Sequence, residues 1–208
     1  MNIDWIFFDV GSTLVDETLA YDHRAIDMIK NTSITFLEFD KIRRELSQLG
    51  YDGNSEAVKH LDLEKTPWHT EDEVLYENVG HVLDVLMKSG YDLGIIANQQ
   101  PGLNQRLENF GILKYFSIII SSSDVGLSKP DESILKLAVL RAKSSAEKCL
   151  MVGDRLDNDI IPASRVGMKT IWIKNGLSKL QSDDLGEEFA NCIVYDLTEI
   201  LKILKLEQ

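Results

Sequence analysis

The 208-residue sequence has little cysteine, little proline, no basic cluster and no long apolar run. The two cysteines, Cys149 and Cys192, both fall in apolar, strand-like stretches. They are too few for a disulfide framework and are expected to be reduced core residues. With four prolines and 44% hydrophobic residues, general disorder is excluded. No apolar run approaches the roughly 18 residues of a membrane helix, and no cationic flank precedes an apolar segment at the N-terminus. The sequence therefore reads as cytoplasmic, with no membrane partner. Basic residues number 22 against 34 acidic ones, a formal net charge of −12. That balance argues against nucleic acid, because binding a phosphate backbone needs Lys/Arg patches. An anionic substrate would need local positive charge, such as a metal ion.

What is present is an alternation of short apolar runs and amphipathic stretches. The first run, Ile6-Phe7-Phe8, ends on Asp9 and is followed by Val10-Gly11-Ser12-Thr13-Leu14. Continuous apolar runs are typical of buried parallel strands, and ligands in such sheets bind beyond the strands' carboxyl ends. Residues 17–76 contain no convincing buried strand. Phe36, Phe39, Ile42, Leu46 and Leu49 recur at helical spacing up to Gly50, and Leu19, Ile26 and Ile29 suggest a helix before them. Thr70 with Glu73 resembles a capping box for a helix carrying Val79, Val82 and Leu86. Strands are expected at 92–97, 117–121, 149–152, 170–173 and 193–195. Helices are expected at 103–110, from Pro130 in the first-turn position to about 141, and at 159–166, with a last one on Leu197, Ile200, Leu201 and Leu204. This implies an α/β fold, a Rossmann-like three-layer core on a parallel sheet, interrupted early by a helical insertion. The division is 1–16 and 77–208 for the core, and 17–76 for the insertion.

Three later loops sit where Asp9 sits, just beyond a strand. They contain Ala97-Asn98-Gln99-Gln100, Ser128-Lys129-Pro130, and Gly153-Asp154-Arg155-Leu156-Asp157-Asn158-Asp159. Each residue alone admits a plainer role: Asp9 capping a turn, Asp154 or Asp159 capping a helix, Lys129 solvated at the surface. Their shared placement at strand ends is harder to dismiss. Three carboxylates in one crevice repel unless protonated or bridged by a cation, and hard oxygen ligands suit Mg²⁺. Lys129 could neutralise a phosphoryl group there, and Asp9 could act as a nucleophile, since aspartate forms acyl-phosphates.

These stretches resemble the motifs of the haloacid dehalogenase-like (HAD) hydrolases, in the phosphatase-type branch with a helical cap. Asp9-Val10-Gly11-Ser12-Thr13-Leu14 is similar to the first motif and Ile95-Ile96-Ala97-Asn98 to the second. Lys129-Pro130 is similar to the third, and the stretch from Gly153 to Asp159 to the fourth. The resemblance implies a Mg²⁺-dependent phosphatase in which Asp9 forms an aspartyl-phosphate. The metal would be held by Asp9, the Gly11 carbonyl and Asp154, with Asp159 as a further ligand or neighbour. Lys129 would steady the phosphoryl group, Ser12, Thr13 and Asn98 would line the phosphate site, and residues 17–76 would form the cap that sets specificity. The substrate would be a small phosphorylated metabolite.

Two positions depart from the family pattern. Its phosphatases usually carry a second aspartate two residues after the nucleophile, as general acid and base, where this chain has Gly11. Its second motif usually offers a hydroxyl, where this chain has Ala97. The alternatives are therefore a weakly active or non-catalytic binding relative, and a metal-independent 2-haloacid dehalogenase also using Asp9. Asp16 and Glu17 lie near the missing carboxylate in sequence, and Trp68 and His69 are candidates for the cap face over the crevice.

Overall fold

The computed structural model describes residues 2–206. In chain order the strands are β1 (Trp5–Phe8), β2 (Val15–Asp16), β3 (Val74–Leu75), β4 (Asp92–Ala97), β5 (Ile118–Ser121), β6 (Cys149–Gly153), β7 (Lys169–Ile173) and β8 (Cys192–Val194). The helices are α1 (Thr18–Ile29), α2 (Phe36–Gln48), α3 (Gly53–His60), α4 (Val79–Lys88), α5 (Leu103–Asn109), α6 (Ser122–Val125), α7 (Glu132–Arg141), α8 (Ile161–Val166) and α9 (Glu199–Ile203). Six strands form one sheet in the order β5-β4-β1-β6-β7-β8. Every pairing in it is parallel, so the expected Rossmann-like architecture holds.

Alternating side chains on these strands build two apolar layers. Ile6, Phe8, Ile95 and Val152 pack with Val82, Leu86, Leu107 and Ile200 on one face. Phe7, Ile96, Ile120 and Met151 pack with Ile134, Leu135 and Ala163 on the other. Because β1 has β4 on one side and β6 on the other, the loops leaving these three strands converge. That is the switch point at which an open α/β sheet presents its ligand crevice. Cys149 is buried and Cys192 half-buried, and both are free thiols.

The insertion holds the three helices α1 to α3 around a small core of Ala25, Ile29, Phe39, Ala57 and Val58. The chain leaves and re-enters through β2 and β3, which pair antiparallel, Val15 with Leu75 and Asp16 with Val74. At two residues each, they are too short to show a period in sequence. α2 ends where expected, with Gly50 at φ +91°, a left-handed conformation that glycine adopts at little cost.

Four expectations are corrected. The buried face of α1 is Ala20, Ala25 and Ile29, while Leu19 and Ile26 are exposed, because small residues let α1 approach its neighbours closely. The capping box lies not at Thr70 but at Thr35, where Thr35 and Glu38 satisfy each other's backbone N–H at the start of α2. Thr70 opens a short 3₁₀ turn instead, and Glu73 is drawn away into a buried ion pair with Arg106. Pro130 does not open α7: that helix starts at Glu132, N-capped by the Asp131 carboxylate accepting from Ser133 N–H at 2.8 Å. Pro130 belongs to the preceding turn, closed by Asp131 N–H donating to Ser128 C=O, with a cis peptide bond after Lys129. Finally, 156–160 form a π-turn ahead of α8, so the expected helix at 159–166 is α-helical only from Ile161.

Candidate active site

Asp9 leaves β1 with its N–H bonded to Val152 C=O of the neighbouring strand. The chain then turns tightly: Leu14 and Val15 N–H both return to Val10 C=O, and Ser12 takes a positive φ of 53°. This curl aims the Asp9 carboxylate and the Gly11–Ser12 backbone beyond the sheet.

Lys129 meets that carboxylate from the loop between α6 and α7. Its Nζ is 2.5 Å from Asp9 Oδ1 and 2.6 Å from Asp159 Oδ1, and its side chain is completely buried. Asn98, at the end of β4, clasps the Lys129 backbone. Its Oδ1 accepts from Lys129 N–H at 2.8 Å and its Nδ2 donates to Lys129 C=O at 2.7 Å. Asp159 uses its second oxygen to accept from Arg155 N–H at 3.1 Å. It can lie so close to β6 because of Gly153, where a Cβ would come within 2.5 Å of the Asp159 carboxyl. Asp154 is fixed by Trp172, whose indole N–H donates to its backbone carbonyl at 2.7 Å. Thr13 is fully buried and turned toward the Asp154 carboxylate, 3.5 Å away.

The structure thus brings Asp9, Asp154 and Asp159 together, each offering an oxygen within 4.8 Å of the others. The electrostatics of this group are lopsided. Burial, reinforced by Asp159 and Asp9, pushes the Asp154 carboxyl well above the usual carboxylate range. Burial raises Asp159 to about 6, against the opposing pull of the Lys129 ammonium. Burial would lower Lys129, but its two carboxylate partners outweigh that and hold it above its ordinary value. One ammonium therefore faces three carboxylates, an arrangement that favours a further cation.

A cavity of about 720 Å³ opens over this cluster, between the strand ends and the insertion. Asp9, Gly11, Ser12, Asn98 and Asp154 line its floor, and Phe39, Val58 and Trp68 line the side facing them. His69, the other candidate for this face, is not part of the wall. It bonds Asp27 and Glu71 and stacks on His23. Two ion pairs tie the insertion to the sheet beside the cavity: Arg155 to Asp52 at 2.7 Å, and Arg106 to Glu73 at 2.7 Å.

Of the two acidic residues that lie near position 11 in sequence, one joins this site. Glu17, between β2 and α1, is buried with its carboxyl against Gly11. Burial and the Asp9 charge raise its pKa to about 8. Asp16, its neighbour, instead accepts from Thr18 N–H at 2.9 Å. Nothing local in the sequence distinguishes the two carboxylates, since the difference arises from which way the chain turns after β2.

Comparison with known proteins leads to one family of hydrolases. A sequence profile of haloacid dehalogenase-like hydrolases matches residues 6–173. A glyceraldehyde 3-phosphate phosphatase of Pyrococcus furiosus is 31% identical, with 97% of this chain and 93% of that one covered. A pyrimidine 5'-nucleotidase of Escherichia coli is 25% identical, over 97% and 99% of the two chains. The crystal structure of an HAD phosphatase from Thermococcus onnurineus is 25% identical and superposes with a TM-score of 0.68, covering 99% of each chain.

Proposed function

Because the chain belongs to the haloacid dehalogenase-like hydrolases, we propose that it is a Mg²⁺-dependent phosphatase that carries the phosphoryl group on Asp9. The observation that carries this reading is the buried Lys129 ammonium shared by Asp9 and Asp159, with Asp154 alongside. An all-oxygen donor set with excess negative charge fits Mg²⁺, which takes one or two carboxylates and keeps several waters. Asp9, the Gly11 carbonyl and Asp154 would hold it, with Asp159 adjacent. Bound there, the ion would draw charge from the phosphoryl oxygens and lessen their repulsion of the Asp9 carboxylate.

The chain's own residues account for the rest. The Asp9 carboxylate attacks phosphorus, the ester bond breaks, and water then releases phosphate from the aspartyl-phosphate. Lys129, immobilised by two carboxylates and by the Asn98 clasp on its backbone, holds the Asp9 carboxylate in position and faces the incoming phosphoryl oxygens. Ser12 and Asn98 border the phosphate from the cavity floor, while Thr13 orients Asp154. Residues 17–76 serve as the cap. Its apolar wall of Phe39, Val58 and Trp68 excludes water, and its ion pairs to Arg155 and Arg106 define the closed position. The cavity size and the relatives' names, one a triose-phosphate phosphatase and one a nucleotidase, support a small phosphorylated metabolite as substrate.

The test is phosphate release from p-nitrophenyl phosphate with and without Mg²⁺. Release should need Mg²⁺ and vanish in Asp9→Asn. Wild-type activity in Asp9→Asn would remove Asp9 as nucleophile. Halide release from a 2-haloacid without metal would replace the phosphatase reading altogether.

A further inference from the structure

Expelling an alkoxide from phosphorus needs a proton, and attack by water on the aspartyl-phosphate needs a base. Position 11, two residues after Asp9 on the loop, has no side chain to supply either. The space beside it is nevertheless filled. A Cβ built on Gly11 would lie 2.7 Å from both the carboxyl carbon and Oε1 of Glu17, and would collide with Oε2 as well. Gly11 does not have a left-handed φ, so its backbone admits a side chain, and the nearest atoms such a side chain would meet belong to Glu17. The Glu17 side chain is 9% exposed and lines the same cavity as Asp9 and Asp154.

The other carboxylates at the site are already engaged. Asp9 and Asp159 hold Lys129, Asp154 belongs to the proposed metal cluster, and Asp16 caps the first turn of α1. Glu17 has a looser tie. Arg106 Nη2 is 3.9 Å from Oε1, and that guanidinium is gripped more closely by Glu73, at 2.7 and 2.8 Å, and by Gln99.

We infer that Glu17, reaching in from the hinge of the insertion, is the proton-transfer residue of this site and replaces the carboxylate that Gly11 cannot provide. In the first step an Asp9 oxygen bonds to phosphorus as the ester P–O bond breaks. The Glu17 carboxyl gives its proton to the departing oxygen, leaving an alcohol and a Glu17 carboxylate. In the second, that carboxylate takes a proton from water while the water oxygen bonds to phosphorus. The Asp9–phosphorus bond breaks, releasing phosphate and restoring both side chains. This assignment rests on the phosphatase reading given above.

The experiment compares kcat/KM for an alkyl phosphate and for p-nitrophenyl phosphate, whose leaving group departs as a stable anion. Wild type, Glu17→Gln, Gly11→Asp/Glu17→Ala and Asp9→Asn are measured side by side. Glu17→Gln should lose about 10²- to 10⁴-fold on the alkyl ester, the usual contribution of a positioned acid, while largely sparing the aryl ester. It should also give a burst of nitrophenolate stoichiometric with enzyme, because hydrolysis of the intermediate has lost its base. The double variant, which frees the space beside residue 11 and places a carboxylate there, should recover alkyl hydrolysis. The assignment is overturned if Glu17→Gln keeps its alkyl rate, or if both esters lose equally without recovery in the double variant. It is also overturned if wild type hydrolyses only the aryl ester. Aryl hydrolysis that is lost in Asp9→Asn upholds the phosphatase reading independently of those results. No hydrolysis of either ester by wild type would remove both.

Discussion

At the scale of single residues, Lys129 is where the electrostatics of the site balance. Its ammonium is fully buried and is the direct partner of two carboxylates, with a third close by. Removing one member of a buried ion pair leaves uncompensated charge in a poorly solvated place. Lys129→Met should therefore cost about 3 to 5 kcal/mol in chemical denaturation at neutral pH. A loss below about 1 kcal/mol, typical of an exposed pair, would show that solvent reaches these carboxylates far more freely than the burial implies. Asp9, Asp154 and Asp159 were readable in the sequence because each follows a strand by a few residues, and strand ends on one edge of a parallel sheet must meet. Lys129, which lies farther out beyond α6, was readable through the resemblance of Lys129-Pro130 to the third motif. Glu17 and Gly153 could be pointed to, but what they do could not. The first enters from a helical insertion whose direction no pattern encodes. The second matters only through a close approach to Asp159, visible once both are placed.

At the scale of elements, the turn that returns the chain from the insertion is pinned to α1 by a pair of stacked imidazoles. His23 and His69 lie 3.6 Å apart, and three carboxylates surround them: Asp72 on His23, and Asp27 and Glu71 on His69. The hydrogen bonds to Glu71 and Asp27 raise the His69 pKa above 6.5. A base whose folded pKa is raised binds more protons in the native state. Its contribution is complete below the unfolded value and is lost as pH rises through the folded one. His69→Phe keeps the ring and removes the charge. The melting temperature of wild type should thus exceed that of the variant near pH 6, and the gap should narrow as pH climbs above about 6.5. A constant gap across that range would mean that the protonated imidazole contributes nothing.

Elements with a long period were the legible ones. α2 shows its apolar spacing over four turns and stops at a glycine, as expected. The failures involve competition for a side chain. Thr70-x-x-Glu73 has the spelling of a capping box, yet Glu73 is more strongly satisfied by a guanidinium and by the Trp68 indole, at 2.6 Å. Pro130 has a helix-opening residue type, but Asp131 captures the helix start with a carboxylate cap. In the first case a local rule gave way to a guanidinium that the tertiary fold supplied, and in the second to the carboxylate of the next residue.

At the scale of the whole molecule, the proposed metal centre joins loops from β1 and β6, strands separated by some 140 residues of chain and adjacent in the sheet. A ligand bound only by the native state stabilises it by mass action, about 2.7 kcal/mol at a hundredfold excess over its dissociation constant. Millimolar Mg²⁺ should raise the melting temperature of wild type, and Asp154→Ala should abolish the increase. An undiminished increase in the variant would place the ion elsewhere on this acidic protein. Among the described residues, no helix is long and apolar enough to cross a membrane. The alternating pattern from residue 91 onward made this sheet foreseeable, whereas the two-residue strands at the root of the insertion carry no period to read.

Arg155 has a consequence for anyone who would re-engineer this enzyme. Its main-chain N–H fixes Asp159 beside Lys129 and Asp9, while its guanidinium holds Asp52 at the start of α3 in the insertion. One residue is thus at once part of the carboxylate cluster at the strand ends and a latch for the insertion proposed to select the substrate. The two halves are not interchangeable modules. An insertion transplanted from a relative, however well its own helices pack, would lose this latch unless it brought an acidic group to the place of Asp52, and a library built on swapped insertions should carry that position as a fixed joint.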